Sequence, residues 1–244
     1  METNWSYGLG TQSTAMLILV AQGKLPKPAR VVIADTGREA QVGWDYFHTY
    51  AEPLMHELGL RVEIAPHSLA TVDLYDKRGR TLLPAFTAKG KLPTFCSIEW
   101  KVRVIRRHLR AQGVRRCITW LGISTDEVER LKPSNVKWQT LHWPLCFDVP
   151  MSRVACRLLV QGYGWPDPPR SSCYICPHRQ DSEWLRLTVD ERQEAERIDV
   201  EVRERDPRHD IYLHHGRKPL AVVTLDRPQR AGLFDACDSG YCWT

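Results

Sequence analysis

The sequence has no apolar run long enough to cross a bilayer; its longest, residues 15–21, falls far short of the ~20 residues a spanning helix needs. It opens Met1-Glu2-Thr3-Asn4 with neither a basic stretch nor an apolar segment behind it, so no secretory leader is expected and a cytoplasmic location is. Internal repeats and low-complexity tracts are missing. So is strong charge of either sign, with 34 Lys and Arg against 29 Asp and Glu for a net +5. At 43% hydrophobic and 26% charged residues, the composition excludes disorder, collagen and coiled coil. No histidines fall in H-E-x-x-H or H-x-x-x-H spacing, and none, His108, His142, His178, His214 and His215 included, is assigned to a metal. The phosphate-loop pattern G-x-x-x-x-G-K-[ST] and the dinucleotide pattern G-x-G-x-x-G are also absent.

What remains is a chain of 244 residues, enough for one domain of roughly 200–250 residues or a domain of about 150 with an appendage. A chain of this size buries roughly 70–75% of its unfolded surface and needs no disulfide staples. Yet it has eight cysteines. In a reducing compartment those point to metal or catalysis rather than cross-links. Cys117 and Cys146 lie in apolar surroundings and are expected in the core. Cys173 and Cys176 form a C-x-x-C, Cys96 and Cys156 precede it, and Cys237 and Cys242 crowd the end.

Hydrophobic patterning alternates strand and helix. A short strand near residues 5–7 precedes an apolar helix over 14–22 that Gly23 ends. Strands follow at residues 30–35, 61–65 and 117–123, with helices at 43–58 and 100–112 between them. Continuous β-branched strands alternating with helices imply an α/β fold, a parallel twisted sheet with helices on both faces. Residues 73–94 have charge, Gly and Pro without period and read as a mobile loop or lid. Beyond residue 150 the pattern changes: a helix over 152–161, a Gly/Pro-rich turn, the C-x-x-C, a charged helix over 182–205 and a hairpin at 211–224. Residues 1–150 are thus read as a nucleotide-binding domain and 151–244 as a cysteine-containing helical extension packed on it. Arg103, Arg106, Arg107 and Arg110 share one helical face, either solvated or a footprint for phosphate or nucleic acid. The aromatic run 138–147 is expected in the core.

The chemistry-bearing turn is Gly8-Leu9-Gly10-Thr11-Gln12-Ser13-Thr14, between the first strand and a helix. Backbone amides at a helix N-terminus point outward with partial positive charge, so a Gly-rich turn there can cradle phosphate, and Ser13 and Thr14 add hydroxyls. This turn resembles the S-G-G-x-D-S pyrophosphate loop of the adenine-nucleotide alpha-hydrolase (PP-loop) superfamily, with Gln12 where the family has an acid. Three further segments extend the resemblance over residues 1–185: Ile33-Ala-Asp35-Thr36-Gly37, Cys96-Ser-Ile-Glu-Trp-Lys101, and Gly122-Ile-Ser-Thr-Asp-Glu127-Val-Glu-Arg130. The loop variant looks like that of a PAPS-reductase-like branch and is similar to the ATP-pyrophosphatase component of DNA phosphorothioation systems.

That resemblance implies an ATP site, with Mg2+, built from Gly8, Leu9, Gly10, Thr11, Gln12, Ser13, Thr14, Asp35, Thr36, Gly37 and Gly122. It implies catalytic roles for Gln12, Ser13, Lys101, Glu127 and Arg130. It also implies a [4Fe–4S] cluster on Cys96, Cys173 and Cys176, with Cys156 as the fourth ligand because Ser97 stands where the reductases have a second cysteine; zinc is the alternative. Cys237 is either a mobile sulfur-carrying thiol or an idle residue of the tail. The implied activity is ATP-dependent sulfur insertion: an oxygen of DNA, or less directly of tRNA, is adenylated and replaced. A nucleic-acid substrate and a cysteine desulfurase as sulfur donor are the implied partners, with no membrane and with a homodimer left open. A PAPS/APS reductase and a nucleotide-binding module without chemistry are the competing readings.

Overall fold

The computed structural model describes residues 1–225. Strands β1 (Glu2–Ser6), β2 (Arg30–Ala34), β3 (Val62–Ala65), β6 (Cys117–Leu121) and β7 (Gln139–His142) form one sheet; β4 (Phe86–Thr87) and β5 (Gly90–Lys91) form a separate hairpin. The sheet order is β3-β2-β1-β6-β7 and all its pairings are parallel. Strand order therefore reverses between β1 and β6. In an open parallel sheet, the crevice outside the carboxyl ends at such a reversal is where ligands bind.

Period-2 alternation in β2 shows why the sheet is covered on both sides. Val31 and Ile33 pack with α1 (Thr11–Ala21), while Val32 packs with α4 (Arg103–Ala111) on the opposite face. The first core also takes Cys156 and Val160 of α6 (Arg153–Gly162), whose N-cap Ser152 accepts from Ala155 N–H. Cys117 lies fully buried in the second-face core, as expected.

The elements depart from the expected spans in informative places. Helix α1 begins at Thr11, not residue 14, because Gly10 acts as its N-cap and the loop's own polar residues make the first turn. The helix over 43–58 is three pieces: α2 (Gln41–Tyr46), a π turn (Phe47–Ala51) and α3 (Glu52–Glu57). Pro53 can donate no helical bond, and the wider turn before it, closed by Glu52 N–H to Phe47 O, accommodates its ring. A second π turn, Ile98–Val102, leads into α4 and sends Trp100 into one core while Lys101 faces the ligand crevice.

Residues 73–94 are not a free lid. Leu74, Leu83 and Ala85 are buried in a further core with Trp100, Ile175, Trp184 and α8 (Val189–Arg205). This core draws on residues from both sides of position 150, so the extension and the segment 73–100 fold together. The expected 182–205 helix is split into α7 (Asp181–Trp184) and α8, the latter started by a Thr188–Glu191 capping box. The expected hairpin at 211–224 does not form; Tyr212 pairs with Phe86 and Leu220–Val222 makes a 3-10 turn. The aromatic run contributes β7 and α5 (Pro144–Phe147), with Leu145 buried but Phe147 62% exposed.

The four α4 arginines are each engaged within the fold, although Arg103 and Arg110 remain exposed. Arg103 pairs with Glu99; Arg106 bonds Gln139, Asn135 and Ser134; Arg107 bonds Leu69 O; Arg110 bonds Val114 O and lies over Trp138. No helix among the described residues is long and apolar enough to cross a membrane.

Candidate functional site: a phosphate-loop cleft beside three cysteines

The loop from Gly8 to Ser13 leaves β1 and enters α1 at the point where sheet order reverses. No side chain caps the first turn of α1, so its outward amides remain available to an anion. Ser13 Oγ accepts from Gly8 N–H at 3.0 Å, which folds the loop back on itself and leaves the hydroxyl proton to donate elsewhere. Leu9, in a position where the resembled family has glycine, buries its side chain in the sheet core against Gly43. At the end of β6, Gly122 approaches so closely that a Cβ there would stand 3.3 Å from both Ser13 N and Ser13 Oγ. A side chain there would press Ser13 by a few tenths of an ångström, so glycine suits that approach.

Together these residues line a cleft of about 1060 Å³ including its solvent-open mouth. Gly8, Leu9, Gly10, Thr11, Gln12, Ser13, Lys101, Gly122, Glu127 and Arg130 all face it. Thr14 does not: its hydroxyl donates to Gly10 O at 3.1 Å inside the helix start. Nor do Asp35, Thr36 and Gly37 line it. Asp35 accepts from Gly37 N–H at 2.7 Å to shape its own turn, Thr36 contacts Cys173, and Gly37 (φ +66°) lies against His67. The same strand reaches the cleft through Ile33 and Ala34, and its loop reaches it through Glu39.

Gln12 Nε2 donates to Glu127 Oε2 at 3.0 Å, and Arg130 donates to Glu127 Oε1 at 2.6 Å. Both carboxylate oxygens of Glu127 are thus committed. Arg153 and Arg170 add to Lys101 and Arg130, giving four cationic side chains around the cleft against two carboxylates, Glu39 and Glu127. Arg170 is also paired with Glu183 at 3.0 Å and Lys101 with Glu39, so part of this positive charge is already balanced within the protein. Cationic side chains at a cleft suit an anionic ligand.

A strap at residues 170–174 closes one side. Residues 38–40 pair antiparallel with 172–174 through Ala40 N–H to Ser172 O and Tyr174 N–H to Arg38 O, so Glu39 and Cys173 stand directly opposite each other. In that non-hydrogen-bonded pairing, facing side chains lie close on one side of the ribbon. A Cβ on Gly10 would meet Ser171 Cβ and N at 3.4 Å, so the strap lies directly against the Gly8–Ser13 loop. Ser171 Oγ donates to Glu39 Oε1 at 2.8 Å, and Lys101 Nζ is 3.3 Å from Glu39 Oε2. Glu39, Ser171, Arg153 and Arg170 escaped the reading of the sequence. Glu39 alone had a signal, its position two residues beyond Gly37 at the end of a buried strand.

Cys96, Cys173 and Cys176 gather behind this wall. Burial pushes the Cys96 thiol up, and the Cys176 and Cys173 sulfurs add to it; Cys173 is pushed up to about 12 by burial and then by Glu39. Cys96 does begin a helical turn, but burial outweighs any N-terminal help to its thiolate. Thr36 Oγ1 lies 3.2 Å from Cys173 Sγ. Cys156 is elsewhere: fully buried between α1 and α6, with its thiol raised by burial and by Asp126 rather than by the other cysteines. The structure therefore brings together three of the four expected sulfurs. Cys146 donates to Ile123 O and Cys237 lies outside the described residues.

Three soft sulfur donors fit a thiophilic metal centre. A single zinc with Zn–S near 2.3 Å would hold its sulfurs about 3.8 Å apart. Among the described residues, the group of three His, Cys, Asp or Glu ligand atoms lying within 4.8 Å of one another is Asp181–His214–His215, not the cysteines. The chemistry of three such thiols suits zinc and an iron–sulfur centre alike. The Asp181–His214–His215 group is structural: Gly216 N–H donates to His214 Nδ1, which leaves the ring proton on Nε2 to bond Asp181 at 2.9 Å.

No protein-family model matches the chain, and no curated protein matches it. Among solved structures, it overlaps with the phosphoadenylyl-sulfate (PAPS) reductase from Candida auris in a phosphate complex. The TM-score is 0.46 at 10% identity, over 71% of this chain and 81% of the reductase. It also overlaps with the U34-tRNA thiolase NcsA from Methanococcus maripaludis, solved with its [4Fe-4S] cluster. Here the TM-score is 0.42 at 14% identity, over 86% of this chain and 67% of the thiolase. Overlap at this level decides neither family nor activity.

Proposed function

We propose that this chain is an ATP-binding enzyme of the PP-loop superfamily that releases pyrophosphate and inserts sulfur into a nucleic acid, with DNA phosphorothioation as its setting. The observation that carries the reading is the strap at 170–174, which joins the cleft lined by Lys101 and Arg130 to a three-cysteine site through Ser171, Glu39 and Cys173.

In this reading the amides of the first turn of α1 and the Ser13 hydroxyl bind the phosphates, and Gly122 lets the β6 loop close over them. Lys101, Arg130, Arg153 and Arg170 offset their charge. Ile33, Ala34, Ile105, Leu121 and Ile123 give the cleft an apolar wall suited to a purine ring. An oxygen of the acceptor attacks the α-phosphorus of ATP, pyrophosphate leaves with its electron pair, and the oxygen becomes part of an AMP leaving group. Without that activation it is too poor a leaving group to be displaced by sulfur. Lys101 and Arg130 are placed to stabilise charge on the phosphate oxygens as it develops. Cys96, Cys173 and Cys176 would hold an iron–sulfur centre, which supplies a site for the sulfur delivered by a desulfurase.

The test is pyrophosphate release from ATP by anaerobically purified protein, with and without DNA or tRNA, alongside iron and sulfide counts. Nucleic-acid-stimulated release by iron-loaded protein supports the reading. Sulfite release from PAPS with a thiol donor, and no pyrophosphate from ATP, would replace it with a reductase.

A further inference from the structure

The acid position of the resembled phosphate loop is occupied by Gln12, whose amide is turned to Glu127. A nucleoside triphosphate nevertheless binds as its Mg2+ complex, and Mg2+ is held by one or two carboxylates together with substrate phosphates and water. The cleft offers two carboxylates, and Glu127 has given both oxygens to Gln12 and Arg130. That leaves Glu39.

Glu39 is built for such a role. Its side chain is only 2% exposed, yet it lines the cleft. One oxygen, Oε1, accepts from Ser171; the other, Oε2, accepts no hydrogen bond and stands 3.3 Å from Lys101 Nζ. A buried carboxylate oxygen without hydrogen bonds is costly unless a cation meets it. The backbone on either side is pinned by the bonds Ala40 N–H to Ser172 O and Tyr174 N–H to Arg38 O, and the Ser171 bond holds the carboxylate itself toward the cleft. A strong electrostatic reason for two cations to share this wall appears only when a triphosphate brings its own negative charge.

We infer that Glu39 supplies the protein carboxylate for the divalent cation of the bound nucleotide, through Oε2, replacing the acid that Gln12 displaces from the loop. Ser171 orients the carboxylate through Oε1. Lys101 neutralises Oε2 while the cleft is empty and turns to the phosphates when the metal complex enters. This inference rests on the nucleotide reading of the cleft.

The experiment measures Mn2+ binding to the ATP-bound protein by electron paramagnetic resonance, with ATP binding in excess chelator measured separately by calorimetry. Glu39→Gln is nearly isosteric and keeps an oxygen for Ser171. It is expected to weaken Mn2+ binding at least tenfold while metal-free ATP binds as tightly as before or tighter. Glu39→Asp, which retains the charge on a shorter arm, should fall between, and it serves if the Gln variant does not fold. Lys101→Met should weaken metal-free ATP binding, which Glu39→Gln should not; a Glu39→Gln protein that loses metal-free ATP binding as Lys101→Met does would show that Glu39 only positions Lys101 and would overturn the inference. Unchanged Mn2+ affinity in both Glu39 variants would overturn it too. If wild-type protein binds no ATP, the fault lies with the nucleotide reading itself.

Discussion

Gly122 and Ser13 share one small space, and each has a side chain, or none, fitted to the other. A methyl at Gly122 would press to 3.3 Å on Ser13 N and Oγ, the two atoms best placed to meet a phosphate. Gly122→Ala is therefore expected to lower ATP affinity at least tenfold by calorimetry. Ser13→Ala removes a hydrogen bond to a charged group, worth about 1.5–3 kcal/mol or roughly ten- to a hundredfold in affinity. Its partner Gly8 N–H lies on an exposed residue where water can replace the hydroxyl, so the thermal midpoint should barely move. Wild-type affinity in both variants would remove the phosphate from this loop. The cysteines separate at the same scale. Cys156→Ser puts a hydroxyl into a fully buried apolar site and should lower stability by about 1–3 kcal/mol while iron and sulfide contents stay at wild-type levels. Serine at Cys96, Cys173 or Cys176 should do the reverse, emptying the iron with the fold retained. A Cys156→Ser protein that folds but has lost its iron would restore the four-ligand set.

At the scale of elements, β1, β2, β3 and β6 were legible because buried parallel strands leave β-branched runs such as Arg30–Ala34, whereas β7, a polar edge strand inside the aromatic run 138–147, was not. Residues 73–94 were not, because their anchors Leu74, Leu82, Leu83 and Ala85 follow no period and their strands are two residues long. What holds this segment is tertiary. Arg38 makes a bidentate pair with Asp73 at 2.6 and 2.9 Å, linking the loop after β2 to the start of the segment. Burial alone would raise the Asp73 carboxyl, but the bonds and charge of Arg38 hold it below the ordinary carboxylate range. A carboxyl depressed in the folded state stabilises above its unfolded pKa of about 4 and loses that contribution as pH falls through the folded value. Asp73→Asn should therefore flatten the loss of stability below about pH 4 and lower stability near pH 7, as read by denaturant midpoints across pH. Equal pH dependence in wild type and variant would mean the pair contributes nothing. The candidate site shows the same contrast. Gly8 to Ser13 could be found locally, whereas Glu39 takes its meaning from Ser171, Cys173 and Lys101, residues that only the fold brings to it.

Across the whole molecule, the cleft and the cysteines are not two sites that happen to share a chain. The strap touches the phosphate loop at Gly10, holds Glu39 through Ser171, and carries Cys173 on the next turn of the ribbon. Its far end, through Ile175, belongs to the same core as Trp100 and α8, and Trp100 adjoins Lys101 in the cleft wall. Filling either site should order this shared wall, and whatever one ligand orders the other need not order again. Binding free energies coupled in this way are reciprocal. Iron-loaded protein is accordingly expected to bind ATP several-fold tighter than protein stripped of iron, and saturating ATP should slow iron release to a chelator. Hydrogen exchange at Ala40 and Tyr174, whose amides hold the strap, should slow with either ligand and slow further with both. Equal ATP affinity with and without iron, together with unchanged exchange at those two amides, would mean that the strap is only a scaffold and that the two sites act independently.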